Sequence, residues 1–179
     1  MTRAFAAAIA GLVLLAPAQA LAGSASCILQ ALPAEKRALV DQDYAGGLDK
    51  GMQSQHYTAD ELAVALKACS VELTEAKVRS ATMALAAVEF ESQTRRWLLS
   101  RPGVTAARID AGFRGLPARV VADVHAAIDA DGEPITESLR QATNAFVAAL
   151  GLDATTDNLD YAVVYLAGRL VRERLEPQF

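Results

Sequence analysis

The sequence predicts an all-α protein, an irregular single-domain bundle of about six helices. Three observations predict it. Alanine is abundant, and Leu, Arg, Glu and Gln, which also favour helices, are frequent. Apolar residues recur at intervals of three and four, and no run of β-branched or aromatic residues alternates with period two. Pro and Gly fall between the periodic segments, where they act as helix punctuation.

Residues 1–22 read as a cleavable signal peptide and are set apart from the fold. Arg3 supplies the positive start, and Ala4 to Ala16 is an unbroken apolar run ended by Pro17. Two small-x-small sites follow, ending at Ala20 and Ala22. The run is shorter than the roughly 20 apolar residues that span a bilayer. Residues 23–179 remain as one helical domain, expected in the periplasm or secreted, with no later segment of transmembrane length. Cys27 and Cys69 both lie in that part, and in an oxidising compartment an even pair predicts a disulfide. On the chain-entropy model a loop of that size stabilises the fold by about 4 kcal/mol.

The elements follow in order. A short helix holds Cys27 to Leu32, and Pro33 opens a second one that runs to Tyr44 and stops at Gly46-Gly47. Asp49 to Tyr57 is polar and contains glycine, so it reads as a loop. Thr58-Ala59-Asp60-Glu61 is a capping box, opening a helix with the stripe Leu62, Leu66 and Cys69. Thr74 caps the longest helix, to about Ser100. It carries one apolar stripe of Met83, Ala87, Phe90 and Trp97 and an opposite one of Val78, Ala81, Leu85, Val88 and Leu99. Two stripes place it between neighbours at the centre of the fold. An exposed stripe would instead make it a homodimer interface.

Residues 103–117, broken by Gly112 and Gly115, are expected to hold at most a short helix over 105–111 and are the one candidate hinge. Pro117 starts a helix through Ile128, and Asp131-Gly132-Glu133-Pro134 turns the chain. A helix burying Leu139, Ala142, Phe146 and Leu150 ends at Gly151. Thr155 or Thr156 caps the last, whose end carries Arg172 and Arg174 where the helix dipole favours cations.

Chemistry-bearing patterns are sparse. The chain carries a net charge of −4, without the basic face that a general nucleic-acid binder needs. His56 falls in the polar loop and reads as solvated. His125 has Asp129 four residues on, but no second ligand completes a metal site. Asp129 to Gly132 lacks both anchor ligands of a calcium loop. No cofactor or metal is therefore expected. Glu89 and Glu91 point to different faces of one helix; Glu89 borders an apolar stripe, where pairing with an arginine is expected.

The distinctive feature is charge segregation. Between Arg95 and Arg119 lie six arginines (Arg95, Arg96, Arg101, Arg108, Arg114, Arg119) and a single acid, Asp110, with Trp97 and Phe113 interleaved. Arginine beside aromatics suits carboxylate or phosphate groups. The sequence thus points to an exported, non-enzymatic binding protein that contacts an anionic partner through Arg95, Arg96, Trp97, Arg101, Arg108 and Arg114. A lipid head group, an envelope polyanion or an acidic protein fits that chemistry. The competing reading is a small envelope enzyme using His125 and Glu89 in a groove, and a third is a purely structural envelope protein.

Overall fold

A computed structural model describes residues 23–54 and 56–179; the expected signal peptide lies outside them. The described residues form nine α-helices and no strand, against the six or so expected. These are α1 (Ala25–Ala31), α2 (Ala34–Ala45), α3 (Leu48–Gln53), α4 (Ala59–Ala68), α5 (Glu75–Leu99), α6 (Ala106–Arg114), α7 (Ala118–Asp129), α8 (Glu137–Ala149) and α9 (Thr156–Leu175). A 3-10 turn over Glu176–Gln178 ends the chain.

Threonine starts five of the helices. Thr74, Thr105, Thr136 and Thr155 each accept a hydrogen bond from the amide three residues on, and Thr58 with Glu61 forms the reciprocal capping box. Pro33 and Pro117 precede α2 and α7 and fix the entry angle by their ring. Two elements correct the sequence reading. Leu48–Gln53 is helical rather than loop, because Gly51 lets that turn lie flat on the Tyr44 ring; an added Cβ there would stand 2.5 Å from it. The expected hinge at 103–117 is mostly α6, and Gly112 sits under Phe146 where a Cβ would meet the ring at 2.8 Å.

The core is organised by α5. Its long antiparallel partner is α9, and the two backbones close at Gly168, where a Cβ would meet the Ala87 carbonyl oxygen at 2.9 Å. The larger apolar cluster joins α5 through Ala84, Val88 and Leu98 to α6–α9, with Ile109, Val124, Leu139, Phe146 and Tyr165 at its centre. A smaller cluster lies on the other side of α5, where Ala81 and Leu85 meet Ile28 and Leu32 of the α1 segment and Leu66 of α4. Both stripes of α5 therefore face protein over most of their length, but Leu99 at the end of the second is 41% exposed. Phe90, however, is only half-buried, since it stands between two surface cavities.

Cys27 and Cys69 are bonded, with Cα atoms 5.9 Å apart, and staple α1 to the end of α4 inside the smaller cluster. The same corner gathers both ends of the described chain. The Gly23 amide donates to the Cys69 carbonyl, and the Ala25 amide donates to the Glu176 carboxylate. No described helix is long and apolar enough to cross a membrane.

Candidate functional site

The arginine-rich segment is distributed over α5, the following turn, α6 and the start of α7, and most of it is engaged within the chain. Arg95 lies 2.9 Å from Asp110, which Arg169 of α9 also reaches at 3.1 Å. The Tyr165 hydroxyl accepts from both guanidinium groups. Between them, Arg95 first, they hold the Asp110 carboxyl below the usual carboxylate range. Arg96 pairs with Asp41 at 3.1 Å and Arg119 with Asp123 at 3.8 Å, both on the surface. Arg108 donates to the carbonyls of Gly103 and Leu150, closing the turn before α6 against the end of α8. Arg101 lies over the Trp97 ring at 3.9 Å, and Trp97 in turn stacks on Tyr161. Arg101 and Arg114 are the two of the six with neither a carboxylate nor a carbonyl partner among the described residues.

His125 is half-buried on α7 beside Asp129, which is itself taken by Arg174 through two oxygens at 2.6 and 2.9 Å. It does not meet Glu89. The histidine that does is His56, which the sequence placed in solvent. It is only 6% exposed, held between α2 and α5 by the fold of the segment that joins α3 to α4. Its Nε2 lies 3.3 Å from Asp43 and its Nδ1 3.8 Å from Glu89. The Tyr57 hydroxyl donates to Glu89 through a short hydrogen bond. No arginine reaches Glu89 among the described residues; the arginine expected there pairs with Glu91 instead, through Arg172 Nε at 2.6 Å.

The electrostatics follow from burial. Glu89 is 5% exposed and lies in an apolar stripe, so burial pushes its carboxyl up to about 7, with the Tyr57 hydrogen bond pulling the other way. Burial and the neighbouring Glu89 push the Tyr44 hydroxyl up as well. Asp43, by contrast, is held low by hydrogen bonds from Lys50 and Ser54. Neither the Tyr44 hydroxyl nor His56 Nε2 makes a directed hydrogen bond among the described residues. Buried polar groups of this kind are rare enough to require an explanation.

No family model, curated protein or solved structure matches the chain.

Glu89, His56 and Tyr57 line a cavity of about 380 Å³ between α3, α4 and α5, with Leu62, Leu85 and Phe90 as its apolar walls. A second cavity of about 330 Å³ lies between α5 and α9 under Pro134 and Ile135. Its walls are almost wholly apolar, and Met52, Ala86 and Phe90 belong to both cavities. Each volume is within the range of small-molecule sites. No group of three His, Cys, Asp or Glu among the described residues is arranged to hold a metal ion. A perturbed acid in a cleft beside a histidine is the residue pattern of a functional site. Sequence spacing hid it, because Asp43, His56 and Glu89 come from three separate segments.

Proposed function

We propose that the protein is an exported, non-enzymatic ligand-binding protein whose site is the cavity around Glu89, His56 and Tyr57. Export is read from residues 1–22, with cleavage after Ala20 or Ala22 and a periplasmic or secreted destination; a disulfide between Cys27 and Cys69 suits an oxidising compartment. The observation that carries the binding reading is Glu89. A carboxyl placed 5% exposed in an apolar wall, without an Arg or Lys partner, is costly to the fold. Such a cost is retained where the group meets something that enters the cavity.

The test is to purify the chain from its own envelope fraction and record its mass without denaturation. A dissociable small molecule is expected on the wild type and absent from Ala86→Trp, whose indole fills the junction of the two cavities. Polypeptide mass alone in both proteins would refute the reading. The same spectra report the N-terminus: a chain beginning at Leu21 or Gly23 is expected, and one retaining Met1 would refute export by signal cleavage.

A second reading keeps the arginine-rich surface as a contact for an anionic partner, narrowed to Arg101 and Arg114. It is favoured by Arg101, whose guanidinium is stacked on Trp97 and whose Nε makes no hydrogen bond among the described residues. Sedimentation with vesicles containing an anionic lipid should then fall as salt rises and fall again in Arg101→Gln with Arg114→Gln. Sedimentation that is the same for the variant and for uncharged vesicles would leave these arginines a structural role.

A further inference from the structure

We infer that the occupant of this site is a single-chain amphiphile with an ammonium head, its head beside Glu89 and its alkyl tail between α5 and α9. The inference rests on the ligand-binding reading above and names the ligand's chemistry. Two observations carry it: the two cavities share Met52, Ala86 and Phe90 in their walls, and neither is lined by a Lys or an Arg.

The tail end is the cavity between α5 and α9, walled by Met83, Ala87, Phe90, Ile135, Val164 and Val171, with Glu133 its one ionisable residue. A wall of that kind offers no hydrogen bonds and accepts only apolar surface, which gains about 25 cal/mol per Å² on leaving water. Met52, Ala86 and Phe90 line both this cavity and the one at Glu89, and Ala86 is the smallest of the three. A molecule filling both must therefore be apolar along most of its length and polar at one end.

The head end selects the sign of charge. No Lys or Arg lines either cavity, and the ionisable residues that do are the acids Glu89 and Glu133 with His56 and Tyr57. Groups facing Glu89 are the Tyr57 hydroxyl, His56 with Asp43 behind it, and the Tyr44 hydroxyl. Lys50 is spent on Asp43, and Arg37, which acts on the Tyr57 hydroxyl electrostatically, donates to the Gln30 carbonyl. A carboxylate head would meet Glu89 with like charge in a poorly solvated place. An alcohol would gain one ordinary hydrogen bond. A primary ammonium gains a charge-assisted one, and a quaternary ammonium, which has no N–H, gains the Coulomb attraction of Glu89 and the rings of Phe90 and Tyr57 at the cavity wall. The arrival of either gives Glu89, a buried acid without a Lys or Arg partner, a cation to pair with, releasing one proton where the carboxyl was protonated.

Calorimetric titration of the intact protein with octylammonium, octyltrimethylammonium, octanol and octanoate tests this at pH 7.5. Both ammonium probes are expected to bind at least about tenfold tighter than octanoate. Glu89→Gln should remove that preference while leaving octanol unchanged, and Ala86→Trp should weaken all four. Circular dichroism checks that each variant is folded. Ammonium affinity should rise from about pH 6 to pH 8 as Glu89 ionises, and the rise should be absent in Glu89→Gln. Octanoate binding as tightly as the ammonium probes, or a preference that survives Glu89→Gln, overturns the proposal. If octanol and octanoate bind in an Ala86→Trp-sensitive way without an ammonium preference, the head chemistry falls and the site stands. If no octyl probe binds, the amphiphile is overturned, and the mass measurement decides the fate of the site separately.

Discussion

Glu89 shows what one residue does to the whole. Its carboxyl titrates near 4.5 in an unstructured chain and near 7 in the fold. Below about pH 4.5 both states are protonated and the residue is neutral in effect. Between the two values only the unfolded chain ionises, so stability falls as pH rises and the full cost, about 3 kcal/mol, is present above pH 7. Urea denaturation of wild type and Glu89→Gln at pH 5 and pH 8 checks this. The variant should gain on the wild type as pH rises, because Gln keeps an acceptor for Tyr57 and carries no charge; an unchanged difference between the two pH values would count against it. Sequence reading found Glu89 suspect by its place beside an apolar stripe, but expected an arginine partner, with His125 beside it only in the competing enzyme reading. The partner is His56, and nothing in the spacing of a polar, glycine-containing segment says that it folds inward. His56 is buried near the Tyr44 ring on which Gly51 lies, and contacts of that kind leave no periodic trace.

At the scale of the helix, α5 bears out its two stripes unequally. Leu85 is 2% exposed and closes the smaller cluster, whereas Phe90 is half-buried at the cavity junction. Leu85→Ala should accordingly cost about 2–5 kcal/mol, and Phe90→Ala less than the 3–5 kcal/mol typical of a fully buried ring. Chemical denaturation of the two variants in parallel should rank them so. Gly168→Leu should separate α5 from α9, because its side chain must enter where even a Cβ meets the Ala87 carbonyl oxygen at 2.9 Å. Overpacking of this order costs about 1–3 kcal/mol, read as a lower melting temperature. Helices with a cap and a periodic stripe were legible: α4, α5, α7 and α9 all start within a residue or two of their Thr or Pro signals, and α8 follows the turn that was read before it. The helix α3 and the full length of α6 were not, because Gly51 and Gly112 weaken helix propensity locally and only tertiary packing repays it.

For the molecule as a whole, the disulfide and the meeting of the chain ends act on the same corner. Reduction of Cys27–Cys69 should lower stability by about 2–5 kcal/mol, measured as a shift in denaturation midpoint with and without reductant. The arginine surface also takes its meaning at this scale. Composition singled out the segment correctly as unusual. It could not show that the balancing acids, Asp41, Asp110 and Asp123, would meet Arg96, Arg95 and Arg119. Neutralising a charged strip within the chain leaves two of its six arginines for anything else.

The division of the core into two clusters has a kinetic consequence. Glu89 is on the stretch of α5 that passes between them, after Leu85 of the smaller and beside Val88 of the larger. The layer of α1–α4 that covers it is the thinner one, meeting α5 through the smaller cluster, and the staple ties α1 to the end of α4 within that layer. Amide exchange should find that layer opening as a unit ahead of α5 and α9, and faster still once the staple is reduced. Passage to and from Glu89 would then be timed by the opening of a lidded layer, so that residence time, rather than affinity alone, is written into how the N-terminal helices are held down.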